Sequence, residues 1–280
     1  MRKQLTEAGE IERSLNTTFR PAIWTKFTKA IKEFNLIEEG DKIAVCISGG
    51  KDSMLLAKLM QMLQKISDVP FEIEYISMDP GYNEKNRKKI EENAKKIEIP
   101  VNFFESNIFD VTASVGGNPC YLCARMRRGH LYAKAKELGC NKIALGHHKN
   151  DVIETTVMGM FFSGQIQGML PKLKSTNFEG MQLIRPLYYV DEIDIKKWRD
   201  KNNLEFIACA CKLTEGLAKG DENSARHKTK QIIEDLKKDI PDLEEHILKS
   251  LTNVQLDTIV SYKQDGEKHS FLDKFKKDEK

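Results

Sequence analysis

The stretch KIAVCISGGKDS, residues 42–53, concentrates groups that can hold an anion. Ile43 to Ile47 is an apolar run of strand length. Ser48-Gly49-Gly50 is a turn, and Lys51-Asp52-Ser53 opens a Met- and Leu-rich segment of helical period. A glycine turn between strand and helix presents backbone N–H groups to phosphate oxygens, and the helix N-terminus adds partial positive charge. Ser48 and Ser53 offer hydroxyls, Lys51 a cation and Asp52 a carboxylate able to hold Mg²⁺. The common ATPase loop places four residues between its first glycine and a Gly-Lys pair; here only Ser-Gly-Gly precedes the lysine.

Cysteine is the second reactive group. Cys120 and Cys123 form a CxxC, which suits half a zinc site, a redox pair or iron–sulfur ligands. Basic residues follow at once (Arg125, Arg127, Arg128), and cations beside a helix start favour the thiolate. Cys209 and Cys211 form a later pair separated by Ala210. Cys46, inside the first strand, and Cys140, after a helix-ending glycine, read as buried structural thiols. The N-terminal MRKQLTEAGEIERSLN lacks an apolar leader, so metal or redox chemistry is expected rather than disulfides. Gly146-His147-His148-Lys149-Asn150-Asp151 follows another short apolar run. One histidine is expected near a nucleotide and the other against substrate or solvent. Asp151 is read either as an N-cap or as a functional carboxylate. The segment Met158-Gly159-Met160-Phe161-Phe162 reads as core.

These groups need a scaffold. Helical periods cover about 22–35, 53–65, 83–97, 123–138, 151–162 and 191–202; strand-like runs cover 43–47, 71–78, 101–105, 142–145, 182–187 and 205–208. Residues 1–20 show no clear period. Alternating strands and helices predict an α/β fold with a doubly wound parallel sheet. Ligands of such sheets bind at the carboxyl ends of the strands. The phosphate loop, Met78 and Gly146 all fall there. An N-terminal segment (1–35), a nucleotide domain with the cysteines (36–215) and a C-terminal helical appendage (216–280) are expected, the last 15 or so residues being frayed.

The SGGKDS loop resembles the PP-loop of the ATP pyrophosphatases. Together with CYLCARMRRGHLY (120–132), KIALGHHKNDVIETTVMGMFF (142–162), GMLPKL (168–173) and IRPLYY (184–189), it makes residues 20–255 similar to the tRNA 2-thiocytidine synthetases. The resemblance implies ATP bound on Ser48, Gly49, Gly50, Lys51, Asp52 and Ser53, with Met78 and Gly146 in the nucleotide site and Mg²⁺ near Asp52. It implies that Lys51, Asp52 and Asp151 take part in catalysis. It further implies a [4Fe–4S] cluster held by Cys120, Cys123 and one later cysteine, with one iron left open to carry sulfide. The family spaces its later cysteines by two residues; here one residue separates them, so Cys209 competes with Cys211, the preferred third ligand.

The activity so implied is ATP-dependent 2-thiolation of a pyrimidine, cytidine above all, in tRNA. Partners are then tRNA, ATP and a sulfur donor, either a cysteine desulfurase or free sulfide, and a homodimer is compatible with the chain. Alternatives are a persulfide thiolase without the cluster, an amide- or amidine-forming ligase of the same superfamily, and an ATP-binding iron–sulfur sensor. The net charge is only +3, but residues 125–149 carry a net +6, which suits an anionic partner. Arg125, Arg127, Arg128 and Lys149 are expected to hold RNA. No apolar run reaches membrane-spanning length, and a cytoplasmic, membrane-free protein is expected.

Overall fold

The computed structural model describes residues 5–106, 119–207 and 224–275, which divide into two compact units, Met1–Lys230 and Gln231–Lys280. The first unit is built on a six-stranded sheet. Its strands are β1 (Lys42–Cys46), β2 (Glu72–Asp79), β3 (Asn102–Glu105), β4 (Lys142–Ala144), β5 (Lys172–Lys174) and β6 (Gln182–Ile184), in the order β3-β2-β1-β4-β6-β5. All neighbouring pairs are parallel except β5 with β6. The antiparallel edge strand β5 has no counterpart among the expected strands. Conversely, the run expected as a strand at 205–208 is irregular over its described residues, 205–207.

The crossover helices are α3 (Lys51–Ile66), α4 (Glu84–Lys96), α5 (Pro119–Glu137) and α6 (Lys149–Ser163). The sheet grows outward in one direction through α3 and α4, and in the other after α5. Right-handed crossovers therefore put α3 and α5 on opposite faces. Side-chain alternation agrees. Ala44 and Cys46 of β1 pack with Tyr132 and Ala135 of α5. Ile43, Val45 and Ile47 point the other way and are equally buried. The order of the chain reverses between β1 and β4, so the loops leaving these two strands diverge and open a crevice between them.

Residues 1–20, without visible period, hold α1 (Glu7–Asn16), capped by Thr6 and burying Ala8, Ile11 and Leu15. A π-helical turn, Arg20–Trp24, leads into α2 (Thr25–Glu33). After β6 comes α7 (Glu192–Lys201), and α8 (Ala225–Leu236) carries the chain from the first unit into the second. The second unit adds α9 (Leu243–Ser250) and an antiparallel hairpin, β7 (Ser261–Gln264) with β8 (Glu267–Ser270). The hairpin corrects the expectation of a frayed tail over residues 266–275. Asp265 and Gly266 both have positive φ, as a two-residue primed turn requires, and Tyr262 stacks on His269. Among the described residues no helix is long and apolar enough to cross a membrane.

A buried ion pair fixes the start of β1 against β4. Lys142, almost wholly buried, donates to Asp41 at 2.6 Å, Glu38 at 2.8 Å and the Leu36 carbonyl at 3.2 Å. Asp41 also accepts from Asn141 and from the Glu38 N–H. Removing one partner of a buried pair strands the other charge, at about 3–5 kcal/mol. Lys142→Met should therefore lower the urea unfolding free energy by about that much. Lys142→Met with Asp41→Asn should recover a large part of it. An unchanged urea midpoint in the single variant would refute the latch.

Candidate active site

β1 ends at Cys46, and its chain turns through Ser48, Gly49 and Gly50 into α3. Gly49 has φ +82°, and a Cβ there would lie 2.6 Å from Ile90 and 2.7 Å from Ile207. Glycine is thus required both by conformation and by space. Gly50 caps α3 without a side-chain hydrogen bond. Ser53 knots the turn instead: its hydroxyl accepts from the Ser48 N–H at 3.1 Å and donates to the Gly50 carbonyl at 3.0 Å. The first-turn N–H groups of α3 have no intrahelical acceptors, the property by which a helix start can take an anion.

A cavity of about 350 Å³ occupies the crevice. Its walls include Ser48, Asp52 and Ser53 from the loop and α3, Met78 and Tyr82 from the end of β2, Gly146, His147 and Asp151 after β4, and Arg127 of α5. Met78 is placed by its neighbour Asp79. That carboxylate accepts from the Gly81 and Tyr82 N–H groups and from Arg87, whose guanidinium lies 3.7 Å above the Phe103 ring. Gly146 brings the β4 loop against α3: a Cβ there would sit 3.0 Å from the Asp52 carbonyl carbon and the Ser53 nitrogen. Gly146→Ala must push the phosphate turn aside by a few tenths of an ångström. Displacements of that order should lower turnover at this site roughly ten-fold while leaving the melting temperature nearly unchanged. Turnover at the wild-type rate would show that the contact carries no functional constraint.

Lys51 Nζ is held between two carboxylates, Asp52 at 3.1 Å and Glu192 at 3.0 Å. Burial opposes its charge, but these two acids outweigh burial and raise its pKa. Glu192, in the first turn of α7, also meets Lys196 at 2.9 Å and Lys230 at 3.1 Å. Burial works against its ionisation, yet the three lysines hold its carboxyl well below the usual range. Lys230 reaches Glu154 at 3.9 Å, and Arg226 of the same helix pairs with Glu154 at 3.0 Å and with Asp151. A chain of alternating charge thus runs from Lys51 to Asp151 through α7 and α8. Neither Glu192 nor Arg226 is a candidate in the sequence. Their only local signals are an acid in a helix first turn and an arginine beyond the later cysteines.

Asp151 is not an N-cap. His148 caps α6, and Asp151 is the third residue of a capping box, its carboxylate accepting from the His148 N–H at 2.9 Å. His148 is buried, with Nε2 3.8 Å from Asp52. His147 faces the cavity. Burial pulls its pKa down to about 4, so it is neutral at pH 7 although Asp151 pulls the other way. Lys149 corrects the RNA-binding expectation: it is buried and bonded to Asp191 at 2.8 Å. Lys142 is likewise internal. Of the basic segment, Arg127 lines the cavity, while Arg128 and Lys136 are exposed.

Cys46 and Cys140 are buried free thiols, both with pKa values raised by burial, Cys140 to about 11. The backbone of Cys120 and Cys123 forms the first turn of α5. Their side chains, that of Arg125, and all of Cys209 and Cys211 lie outside the described residues. Among the described residues no cluster of three or more His, Cys, Asp or Glu could hold a metal.

A family model described as the PP-loop domain matches residues 20–213. The tRNA-cytidine(32) 2-sulfurtransferase of Polaromonas naphthalenivorans is 35% identical over 249 residues, which are 87% of this chain and 75% of that protein. The enzyme of the same name from Syntrophotalea carbinolica is 38% identical over 231 residues, 81% of this chain and 86% of its own. The U34-tRNA thiolase NcsA from Methanococcus maripaludis, solved with its [4Fe-4S] cluster, superposes with a TM-score of 0.65. It shares 21% identity over 84% of this chain and 78% of its own, and shows the same fold. The crevice between β1 and β4 is accordingly the PP-loop site of a chain that belongs to the tRNA-cytidine(32) 2-sulfurtransferase family.

Proposed function

We propose that this enzyme uses ATP to replace the 2-oxygen of a cytidine in tRNA by sulfur. The position is that of its relatives' name, cytidine 32. One observation carries the reading. The helix that begins with the CxxC, α5, runs into the nucleotide cavity and contributes Arg127 to its wall. Ile207, immediately before the segment with Cys209 and Cys211, reaches the Gly49 turn. A sulfur-handling site beside an adenylylating site is the arrangement thiolation needs.

Triphosphate sits on the first turn of α3, with Lys51 and the backbone N–H groups against the departing pyrophosphate. Asp52 Oδ1 is buried and has no hydrogen-bond partner, which fits a carboxylate waiting for Mg²⁺. The pyrimidine O2 attacks the α-phosphorus, the bond to the β-phosphate oxygen breaks, and the base carries AMP on O2. Arg127, Asp151 and neutral His147 line the space where that oxygen must lie. A sulfide equivalent then adds to C2, and AMP leaves with the original oxygen. The donor set of Cys120, Cys123 and one later cysteine fits a [4Fe–4S] cluster, which supplies a sulfide-carrying iron when bound.

Unmodified tRNA, ATP, Mg²⁺ and sulfide, incubated anaerobically with the reconstituted enzyme, should yield one 2-thiocytidine and one AMP per turnover. Nucleoside mass spectrometry measures both the base and its position. Stoichiometric AMP release without any thiolated nucleoside would overturn the reading in favour of a ligase.

A further inference from the structure

We propose that the exposed end of α6 is a stacking platform for unpaired bases of an RNA loop; this rests on the tRNA reading above. The sequence suggests core for Met158 to Phe162, and the structure does the opposite. Met160, Phe161 and Phe162 are 47–56% exposed on the last turn of α6, and Ile166 and Leu170 follow at 71% and 64%. Among the described residues of the first unit, five of the nine exposed large hydrophobic residues thus fall within residues 160–170. Concentrated apolar exposure of this kind marks an interaction surface.

The platform is held outward by its own backbone. The chain reverses at Gly164, φ +60°, and Gln165 N–H bonds back to the Gly159 carbonyl at 2.9 Å. A side chain at 159 would press the Gln165 carbonyl at 3.1 Å, so the loop folds over Gly159 and leaves the phenylalanines uncovered. The far end is pinned by Arg185, which donates through its backbone to Pro171 and through its guanidinium to Leu170.

The occupant follows from charge and ring chemistry. From Thr155 to Phe178 the chain has no acidic residue, in a protein with 42 of them, and carries Lys172, which is paired with Glu38, and exposed Lys174. Exposed Arg128 of α5 lies near enough to Arg185 for its charge to help burial in lowering the Arg185 pKa to about 10. A second copy of this chain would bring the same cationic segment, with exposed Lys174 and the nearby Arg128, against itself. A polyanion meets no such repulsion, and unpaired bases stack on exposed aromatic rings. Phe161 lies ten residues from Asp151 on α6, about 15 Å along the helix. A reacting base in the cavity and stacked bases on the platform therefore fit one loop.

Binding of an unmodified tRNA transcript by the full-length enzyme tests this. Phe161→Ala and Phe162→Ala should each weaken binding about ten-fold, with ATP affinity and the salt slope unchanged, because stacking releases no counterions. Phe161→Tyr should keep wild-type affinity, and Phe161→Leu should not. Arg128→Ala should instead flatten the salt dependence by roughly one counterion. Equal affinity of the Leu and Tyr variants would overturn stacking. Dissociation of a dimer in sedimentation, with tRNA affinity per protomer unaltered, would assign the face to self-association. Failure of the wild type itself to bind tRNA would overturn the tRNA reading and this inference together.

Discussion

Lys51→Ala should abolish AMP formation while the protein stays folded. Lys51 opens α3 at the crevice, and Glu192 keeps Lys196 and Lys230 as partners when it is removed. What is lost is an ammonium held at the phosphate turn by two carboxylates, Asp52 and Glu192. Removing a single preorganised stabiliser of developing charge costs about 10²–10³ in kcat. Asp52→Ala should be at least as severe, since its unpartnered buried oxygen is the proposed Mg²⁺ contact. Pyrophosphate release assayed without sulfide isolates this half of the reaction. Either variant releasing AMP and pyrophosphate near the wild-type rate, with its melting temperature intact, would remove the loop from the mechanism.

The second large effect belongs to the cysteines. Cys120→Ala and Cys123→Ala should each lose the reconstituted iron–sulfur absorbance and all thiolation, but retain ATP binding. Cys211→Ala should behave likewise, whereas Cys209→Ala should keep most of its cluster. Residues two apart on an extended segment share a face but stand about 6–7 Å apart, so one cluster takes only one of them readily. Anaerobic iron counts on the four variants decide the ligand. Essential Cys209 with dispensable Cys211 would exchange the third ligand and keep the chemistry. Full activity of a wild type holding stoichiometric zinc would instead favour a persulfide route. Cys46 and Cys140 serve as controls: buried, with raised pKa values, they should be replaceable by Ala with a stability cost and no loss of iron.

The phosphate loop is legible in the sequence because its parts are local. Strand, glycine turn and helix start follow one another within residues 42–53, and each is set by its own backbone preferences and its neighbours. The same holds for the parallel α/β alternation and for the Gly146 loop beside it. Locality also explains a missed signal. Asp265-Gly266 is a strong hairpin turn, but the charged strands around it carry no apolar alternation.

What the sequence by itself determined, then, is the glycine turn of the PP-loop, the sheet class and the burial of Cys46 and Cys140. Only the tertiary structure decided which charges complete the PP-loop site. Glu192 and Arg226 stand far along the chain from Lys51 and Asp151, and no period links them. It also decided which basic residues are surface. Lys142 and Lys149 read as part of a cationic stretch, yet each is drawn inside by carboxylates, Lys142 by Asp41 and Glu38 and Lys149 by Asp191. The apolar end of α6 gives the clearest reason. Its composition suits a core, but exposure depends on what packs against a helix, and there the chain turns back over Gly159 instead of covering Phe161 and Phe162. Burial is a property of neighbours brought together by the fold, and a linear pattern specifies a face without specifying what covers it.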